Sequence, residues 1–217
     1  MNLTQHKKEI KRWGFLHYLI AMIFNLLGRI GVHVWTVQRR TLNNEFVLPP
    51  ELSQYTYKRM TRKEVLEFAK DSSLQMNTNF VNAAFDRGDW CVGVLDGQKL
   101  SNYTWRSFTE APVGDGIWIS SLYPGQVYGY KAFCRPQYRG KRLATALSRY
   151  MEANLMEHGF SVFIGYIALY NLRSLRMSAR DKNKRVGYMG YFKFLGRCYP
   201  FRSAGAAKYN MRLFTKE

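Results

Sequence analysis

The hydrophobic positions of this 217-residue chain follow two periods, which predict strands and helices in one mixed domain. Runs that alternate apolar or β-branched residues with polar ones, together with short apolar runs, predict strands at about 33–38, 55–59, 90–95, 99–105, 126–134, 161–167, 186–195 and 208–214. Apolar residues spaced three and four apart predict helices at about 62–70, 77–87, 140–158 and 172–179. This order of elements is typical of an α/β or α+β fold built around a mixed sheet.

Three local signals place element boundaries. Thr61 and Glu64 have the spacing of a capping box, so a helix is expected to start there. Asp96 and Gly97 predict a hairpin turn between two strands. Residues 109–125 are rich in Gly and Pro, and we expect them to form a long loop.

The first 31 residues differ from the rest and form a basic, apolar, amphipathic segment, leaving 32–217 as the main domain. Basic residues come first, at Lys7, Lys8, Lys11 and Arg12. They precede an apolar run of roughly 15 residues, which is shorter than the ~20 needed to cross a bilayer. On a helix, one narrow polar stripe results, formed by His17, Ala21, Asn25 and Arg29.

Three interpretations of this segment remain open. A cleaved signal peptide would need a small-x-small site, which does not follow the apolar run. The segment could also be a helix docked on the protein's own core. We favour a helix lying in the interface of an anionic membrane, because basic residues flank it and Trp13 and Trp35 lie near its ends.

Composition narrows the partners without choosing one. The chain has 33 Lys and Arg against 15 Asp and Glu, a net charge of +18, which predicts an anionic partner such as nucleic acid, anionic lipid, a phosphorylated cofactor or an acidic carrier protein. The three cysteines, Cys91, Cys134 and Cys198, are far apart, so we expect no metal site. Sparse cysteines suit a reducing compartment, and we expect a cytoplasmic protein, peripheral on the inner face of the membrane.

A basic loop at 138–144 carries the strongest chemical signal. It lies between a predicted strand and the start of a long helix, where free backbone N–H groups and the helix dipole favour a phosphate group. Gly140 lets a ligand approach the backbone closely, and Arg139, Lys141 and Arg142 add positive charge. An ordinary basic first turn is the simpler alternative.

Two blocks of sequence resemble the GNAT superfamily of acyltransferases. The family's Arg/Gln-x-x-Gly-x-Gly/Ala motif is matched at Arg139 and Ala144, whereas Arg142 replaces the middle glycine. The family's Asn-x-x-Ser/Ala-x-x-Leu-Tyr motif is matched at Asn171 and Ser174, and Ser178 replaces its tyrosine. The resemblance covers roughly residues 55–214 and is weaker before residue 120.

The resemblance implies a mostly antiparallel sheet flanked by helices, with the family's fourth and fifth strands splayed apart around an acyl-CoA thioester. It implies that acetyl-CoA or another acyl-CoA is the co-substrate, without a metal, and that the acyl end lies near 131–135. The implied binding residues are Phe133, Cys134, Arg139, Gly140, Lys141, Arg142, Leu143, Ala144, Asn171 and Ser174. A simple helix cap is the alternative role of Asn171 and Ser174.

The proton-transfer groups are less clear from the residues. The position of the family's acidic tyrosine is taken by Ser178, and Tyr170, Tyr166 or solvent could replace it. Tyr130 is a further catalytic candidate, although a structural role suits it and Tyr128 better. Candidate bases are Asp96, Glu110 and Asp115, and Cys134 is more readily a buried strand residue than a nucleophile.

Three functions follow as hypotheses. The first is transfer of an acyl group from acyl-CoA to a primary amine of a small molecule, an amino sugar or a lipid-linked acceptor. The second is a long-chain N-acyl synthase that takes its acyl group from an acidic acyl-carrier protein. The third is a basic nucleic-acid-binding module, suggested by the interleaved aromatic and basic residues of 188–197; because that stretch alternates like a strand, we expect it to be core instead.

Overall fold

The computed structural model describes residues 3–44, 46–114, 116–120 and 123–215. Asp115, one of the candidate bases, lies outside the described residues. The strands are β1 (Val32–Thr41), β2 (Thr56–Met60), β3 (Trp90–Asp96), β4 (Lys99–Ser107), β5 (Glu110–Gly114), β6 (Ile117–Ser120), β7 (Gln126–Cys134), β8 (Val162–Ala168), β9 (Lys184–Phe194), β10 (Arg197–Arg202) and β11 (Arg212–Thr215). The helices are α1 (Leu3–Trp13), α2 (Phe15–Arg29), α3 (Arg62–Ala69), α4 (Thr78–Asp86), α5 (Leu143–Glu157), α6 (Leu172–Arg180) and α7 (Ala204–Ala207).

Eight strands form one mixed sheet in the order β10-β9-β1-β8-β7-β4-β3-β2, and β11-β6-β5 form a smaller second sheet. Within the main sheet, β7 and β8 pair in parallel and the other pairings are antiparallel. The mixed, mostly antiparallel sheet flanked by helices confirms the predicted fold class.

Strands β7 and β8 separate after a short paired region. Their pairing begins at Gln126 and Val162 and ends at Gly129 and Gly165. Beyond that point β7 remains paired with β4, while β8 remains paired with β1. A wedge therefore opens between the two strands, which is the splayed arrangement that the family resemblance implies.

Three hydrophobic clusters support this wedge. Helix α5 packs its buried side chains on β3 and β4, with Leu147, Met151 and Leu155 among them. Helices α3 and α4 cover the opposite face around Trp105. The second sheet contributes Ile117 and Ile119 to a third cluster with β1, β8 and β9.

Several predicted elements are confirmed, and the capping box is among them. The Thr61 side chain accepts a hydrogen bond from the Glu64 backbone N–H, and the Glu64 carboxylate accepts one from the Thr61 backbone N–H. The predicted hairpin at Asp96 and Gly97 joins β3 to β4.

The prediction of a long loop at 109–125 is wrong, because β5 and β6 lie within it. Gly114 and Gly116 adopt φ of 135° and 73°, so they form the tight connection of a hairpin. Strand β10 was not predicted either. Its hairpin turns at Leu195, whose φ is 47°, and leucine is not a usual turn residue.

Two boundaries also differ from the prediction. Helix α5 starts at Leu143, and not at Gly140, because Arg142 before it has a left-handed φ of 62°. The last strand starts at Arg212, and not at Lys208, because a short helix and a turn occupy the preceding residues.

Helix α2 docks on the domain by one narrow face and turns its apolar side outward. Tyr18 and Ala21 are buried against neighbouring elements, with β1 and α6 among them. Ala21 lies at the centre of the polar stripe, so the face opposite to it is the exposed one. That face consists of large apolar residues that are 39–67% exposed, namely Phe15, Leu16, Leu19, Ile20, Met22, Ile23, Leu26 and Ile30.

One expectation about this segment is corrected. Trp35 is 7% exposed and packs between Tyr166 and Tyr191, so it belongs to the core and is not a surface anchor. Among the described residues, no helix has both the length and the hydropathy that a bilayer crossing requires.

Candidate active site

A cleft of about 610 Å³ opens where β7 and β8 separate. Residues 129–132 of β7 line one wall, and residues 165–168 of β8 line the other. Helices α5 and α6 close one side, whereas β1 and β4 contribute polar residues to the floor. The cleft therefore lies between the two strands at which the family resemblance implies an acyl-CoA thioester.

The basic loop runs into the start of α5, and its last residue, Ala144, lines the cleft. Tyr138 anchors it, since the side chain is buried and its hydroxyl donates to the Asp96 carboxylate at 2.8 Å. The backbone N–H groups of residues 140–144 have no acceptor in the part of the chain that the structure describes. Five free donors at a helix N-terminus are the arrangement that binds a phosphate group.

Two residues of the loop adopt left-handed backbone conformations. Gly140 has a φ of 82°, and no atom lies within 4 Å of the position that a Cβ would occupy. Arg142 has a φ of 62° and caps α5 without a side-chain hydrogen bond. The side chains of Arg139, Lys141 and Arg142 are all exposed, so they surround the free N–H groups with positive charge.

The cleft gathers some of the predicted residues but not all of them. Its lining includes Tyr130, Ala144, Tyr170, Asn171, Ser174 and Ser178. The remaining predicted residues lie beside the cleft and not in its lining, namely Phe133, Cys134, Arg139, Gly140, Lys141, Arg142 and Leu143. Leu143 is buried in the core, so only its backbone is available to a ligand.

Asn171 acts as the cap of α6. Its side-chain oxygen accepts a hydrogen bond from the Ser174 backbone N–H at 3.1 Å. The capping interaction holds both residues at the edge of the cleft, so they could meet a ligand there without giving up the cap.

The three candidate proton-transfer groups have different surroundings. Ser178 is buried, and its hydroxyl donates to Gln38 at 3.3 Å and accepts from Asn183 at 2.9 Å. Tyr170 is 47% exposed, so its side chain is accessible at the cleft. The Tyr130 hydroxyl donates to the Asp89 carboxylate at 2.8 Å.

Asp89 was not recognised in the sequence, because it follows Gly88 and resembles a turn residue. It is 2% exposed, and burial raises its pKa even though Arg87 lies 2.7 Å away. Burial also raises the pKa of Tyr130, with the Asp89 carboxylate as a second cause. Tyr130 therefore stays a neutral phenol at neutral pH.

The other candidates from the sequence lie away from the cleft lining. Asp96 accepts the Tyr138 hydroxyl, and Glu110 begins β5 outside the lining. Burial raises the pKa of the Cys134 thiol, which disfavours the thiolate that a nucleophile needs. Tyr128 is buried between Tyr130 and Tyr166, in a stack of aromatic rings.

The cleft also contains residues that the sequence did not single out. His33 lines it, and the centre of its ring lies 4.7 Å from that of Tyr191. Arg40 and Arg106 line the floor. Charged residues in strands usually face solvent, so the pattern alone gave no reason to place these two arginines in a buried cleft. Among the described residues, no group of three or more His, Cys, Asp or Glu could hold a metal ion.

Known structures with a similar fold include GNAT acetyltransferases. A putative acetyltransferase of the GNAT family from Novosphingobium aromaticivorans aligns with 87% of this chain and 67% of its own, at 12% identity and a TM-score of 0.54. A GCN5-related N-acetyltransferase from Sphaerobacter thermophilus aligns with 83% of this chain and 55% of its own, at 11% identity and a TM-score of 0.51. A Drosophila protein aligns with 78% of this chain and 54% of its own, at 11% identity and a TM-score of 0.53.

These likenesses concern the fold. This chain spans about half the length of the Drosophila and Sphaerobacter proteins. No protein-family model matches the sequence, and no curated protein matches it. The mixed sheet, the diverging β7 and β8 and the helices that flank them are the fold of GNAT acetyltransferases.

Proposed function

We propose that the protein is an N-acyltransferase that moves an acyl group from acyl-CoA to a primary amine. One observation carries the proposal: the free N–H groups of residues 140–144 open beside the cleft between β7 and β8. A diphosphate at the start of α5 would meet these donors and the charges of Arg139, Lys141 and Arg142. The pantetheine arm would then extend into the cleft past Ala144, Asn171 and Ser174.

The walls of the cleft suit direct transfer. Beyond Gly129, the edge of β7 that faces β8 has no strand partner, so its N–H groups are available to hold the carbonyl oxygen of a thioester. The amine nitrogen attacks the carbonyl carbon, the C–S bond breaks, and the thiolate takes up a proton. Most of the rate gain would come from holding the two substrates together.

Two residues are proposed for the proton transfers. Tyr170 is the proposed donor to the thiolate, because its side chain is exposed at the cleft, whereas the Ser178 hydroxyl is engaged with Gln38. His33 is the proposed acceptor of the amine proton, since it lines the cleft and histidine is the commonest general base.

Binding of acetyl-CoA to matched glycine variants tests the proposal. Gly140→Trp places a large side chain over the free N–H groups, and we expect at least a tenfold loss of affinity by calorimetry. Gly159→Trp is the control, because Gly159 has a φ of 83° and equally open surroundings, but lies at the other end of α5. Both variants carry the same backbone strain, so equal affinities in the two would overturn the proposed diphosphate site.

We propose further that α2 attaches the protein to an anionic membrane. The outward apolar face of α2 supports this, since it is wider than the scattered apolar exposure usual in soluble proteins. Exposed Phe194 and Leu195 at the β9–β10 turn lie close to the end of α2, because Lys193 pairs with Gly31. Basic residues surround both elements, at Lys7, Lys8, Lys11, Arg12, Arg29, Lys193 and Arg197.

Membrane attachment bears on the choice of acceptor. Helix α2 packs on α6, which forms one wall of the cleft, and the ring of His33 lies 3.7 Å from the position that a Cβ on Gly28 would occupy. The part of the cleft that His33 lines is therefore next to the proposed membrane-binding helix. We propose that an amine on a lipid-linked or amphiphilic acceptor reaches the cleft from that side.

A further inference from the structure

Two buried arginines flank one aromatic ring on the floor of the cleft. The guanidinium carbons of Arg40 and Arg106 lie 5.5 and 5.0 Å from the ring centre of Phe163. Both arginines are more than nine-tenths buried, at 8% and 7% exposure. The residues of this floor come from β1, β4 and β8, so three strands of the sheet hold them in place.

The carboxylates near this floor belong to Glu152 and Asp181, and arginines other than Arg106 bind them. Arg40 forms an ion pair with Glu152 and lies 4.0 Å from Asp181. Arg149 lies 3.2 Å from the second oxygen of Glu152. Arg40 and Arg149 thus share the two carboxylates between them.

Arg106 is the arginine without an acidic partner. No carboxylate of the described residues lies within ion-pair distance of it, and its Nη1 donates only to Thr104 Oγ1 at 2.6 Å and to the Trp105 carbonyl at 3.0 Å. Its Nε has no hydrogen-bond partner among the described residues, and neither has Nδ2 of Asn102, which is 2% exposed and lines the same cleft.

An unpaired buried charge destabilises a folded protein, so its presence here needs a reason. Burial, with the nearby charge of Arg40 as a second cause, lowers the pKa of Arg106 to about 10, so the group stays protonated at neutral pH. A ligand with one negative charge would balance the charge of Arg106 and would satisfy the free donors.

We propose that Arg106 binds a carboxylate carried by one of the two substrates. The carboxylate is the far end of a dicarboxylic acyl donor or the carboxyl group of an amino-acid acceptor. A carboxylate fits better than a phosphate ester, because its single charge matches that of Arg106. The inference rests on the proposed acyltransferase function and specifies the substrate class of that site.

Two pairs of ligands distinguish the sources of the carboxylate. Calorimetry compares glutaryl-CoA with valeryl-CoA, which has the same chain length without the carboxylate. Release of CoA from acetyl-CoA compares lysine with its decarboxylated form, cadaverine, as acceptors. In one pair, we expect the wild-type protein to prefer the compound with the carboxylate at least tenfold. We expect Arg106→Gln to lose that preference while it binds valeryl-CoA as the wild-type protein does.

Arg149→Gln is the matched control. It removes a guanidinium from the same charge cluster but does not line the cleft, so the preference should survive. Arg106→Met tests whether Arg106 is only structural. Loss of an unpaired buried charge should leave the melting temperature unchanged or raise it.

Three results would overturn the inference. Equal binding or use of both members of each pair would show that the site does not recognise a carboxylate, while the proposed acyl transfer would still stand. A large fall in melting temperature for both Arg106→Gln and Arg106→Met would make Arg106 a structural residue. Failure of every CoA ester to bind would refute the acyltransferase itself and the inference with it.

Discussion

At the scale of single residues, Arg142 holds a backbone conformation that suits glycine. Its φ of 62° is left-handed, which for a residue with a Cβ costs roughly 1–2 kcal/mol. The GNAT motif that the loop resembles has glycine at this position, and the structure supplies a physical reason for that preference. The arginine side chain adds charge beside the free N–H groups, so stability and ligand binding make opposite demands here.

Arg142→Gly should therefore stabilise the fold and weaken binding. We expect the free energy of unfolding to rise by about 1 kcal/mol, which corresponds to about 2–4 °C in melting temperature for a chain of this size. The affinity for acetyl-CoA should fall several-fold, with a weaker dependence on salt, because one positive charge near the diphosphate is lost. Thermal unfolding and calorimetry at two salt concentrations measure both effects.

The neighbouring Lys141 gives the control. It is not among the residues with positive φ, so Lys141→Gly gains no relief of strain. Its stability should stay unchanged or fall by up to about 1 kcal/mol, since glycine adds conformational freedom to the unfolded chain. A similar gain in both variants would show that the left-handed backbone at Arg142 carries no strain.

At the scale of elements, the divergence of β7 and β8 depends on glycines. Gly129 and Gly165 are the last paired residues of the two strands. A Cβ on Gly129 would lie 2.5 Å from Phe163 Cε2 and 3.1 Å from Arg106 Nη1, and one on Gly165 would lie 2.9 Å from Phe163 Cζ. The absence of side chains here gives the Phe163 ring room to lie between the arginines.

Gly129→Ala should displace the Phe163 ring and the Arg106 guanidinium. We expect a loss of stability of about 1–3 kcal/mol, as for other overpacked sites, and a loss of the carboxylate preference proposed for Arg106. Chemical denaturation and the paired-ligand assays check the two parts. Gly93→Ala is the control: it lies two strands away from β7, and its Cβ would meet the Met60 sulfur at 2.6 Å and Leu100 Cδ1 at 2.8 Å. We expect a similar loss of stability and an unchanged preference there.

The elements show how far the amino-acid pattern determines the fold. Alternation identifies β1 as a strand, but it does not indicate which strands pair with β1. In the structure, β1 lies between β8 and β9. Thr61 and Glu64 were predicted correctly, because a capping box is a local interaction between residues three apart. Gly114 and Gly116 were misread as a loop, because turns of hairpins and long loops share the same composition.

The candidate site divides in the same way. The loop at 138–144 could be predicted, because phosphate binding depends on a short segment and its position before a helix. Arg40, Arg106 and Asp89 could not, because burial of a charge depends on which distant strands meet. Arg106 also lies one residue beyond the strand predicted at 99–105, so the pattern did not assign it to a strand.

At the scale of the whole molecule, apolar exposure and positive charge coincide. The exposed face of α2 is preceded by the basic residues of α1 and followed by Arg29, and the β9–β10 turn beside it carries Lys193 and Arg197. Helices at a protein surface normally turn their polar side to water, whereas α2 does the reverse. Because the net charge is +18, an anionic membrane surface is the environment that best suits that face.

Charged substitutions on that face should release the protein from anionic vesicles. Leu16 and Ile23 are 63% and 47% exposed, so Leu16→Glu with Ile23→Glu leaves the core intact while placing two carboxylates at the proposed membrane surface. Flotation with vesicles of phosphatidylserine and phosphatidylcholine should show at least a tenfold lower bound fraction for this variant. Binding of the wild-type protein should also weaken as salt increases, since basic residues contribute about 1 kcal/mol each near an anionic surface.

Val47→Glu separates membrane contact from a general effect of added negative charge. Val47 is 84% exposed, and its neighbour Phe46 packs on Tyr57 of β2, at the edge of the sheet opposite to β10. Val47→Glu is compared with Leu16→Glu alone, because each variant adds one carboxylate at an exposed apolar residue and so gives the same change in net charge. Equal vesicle binding by the two single variants would show that α2 does not contact the membrane. Retained acyl transfer in both variants would show that the outward face of α2 serves attachment and not catalysis.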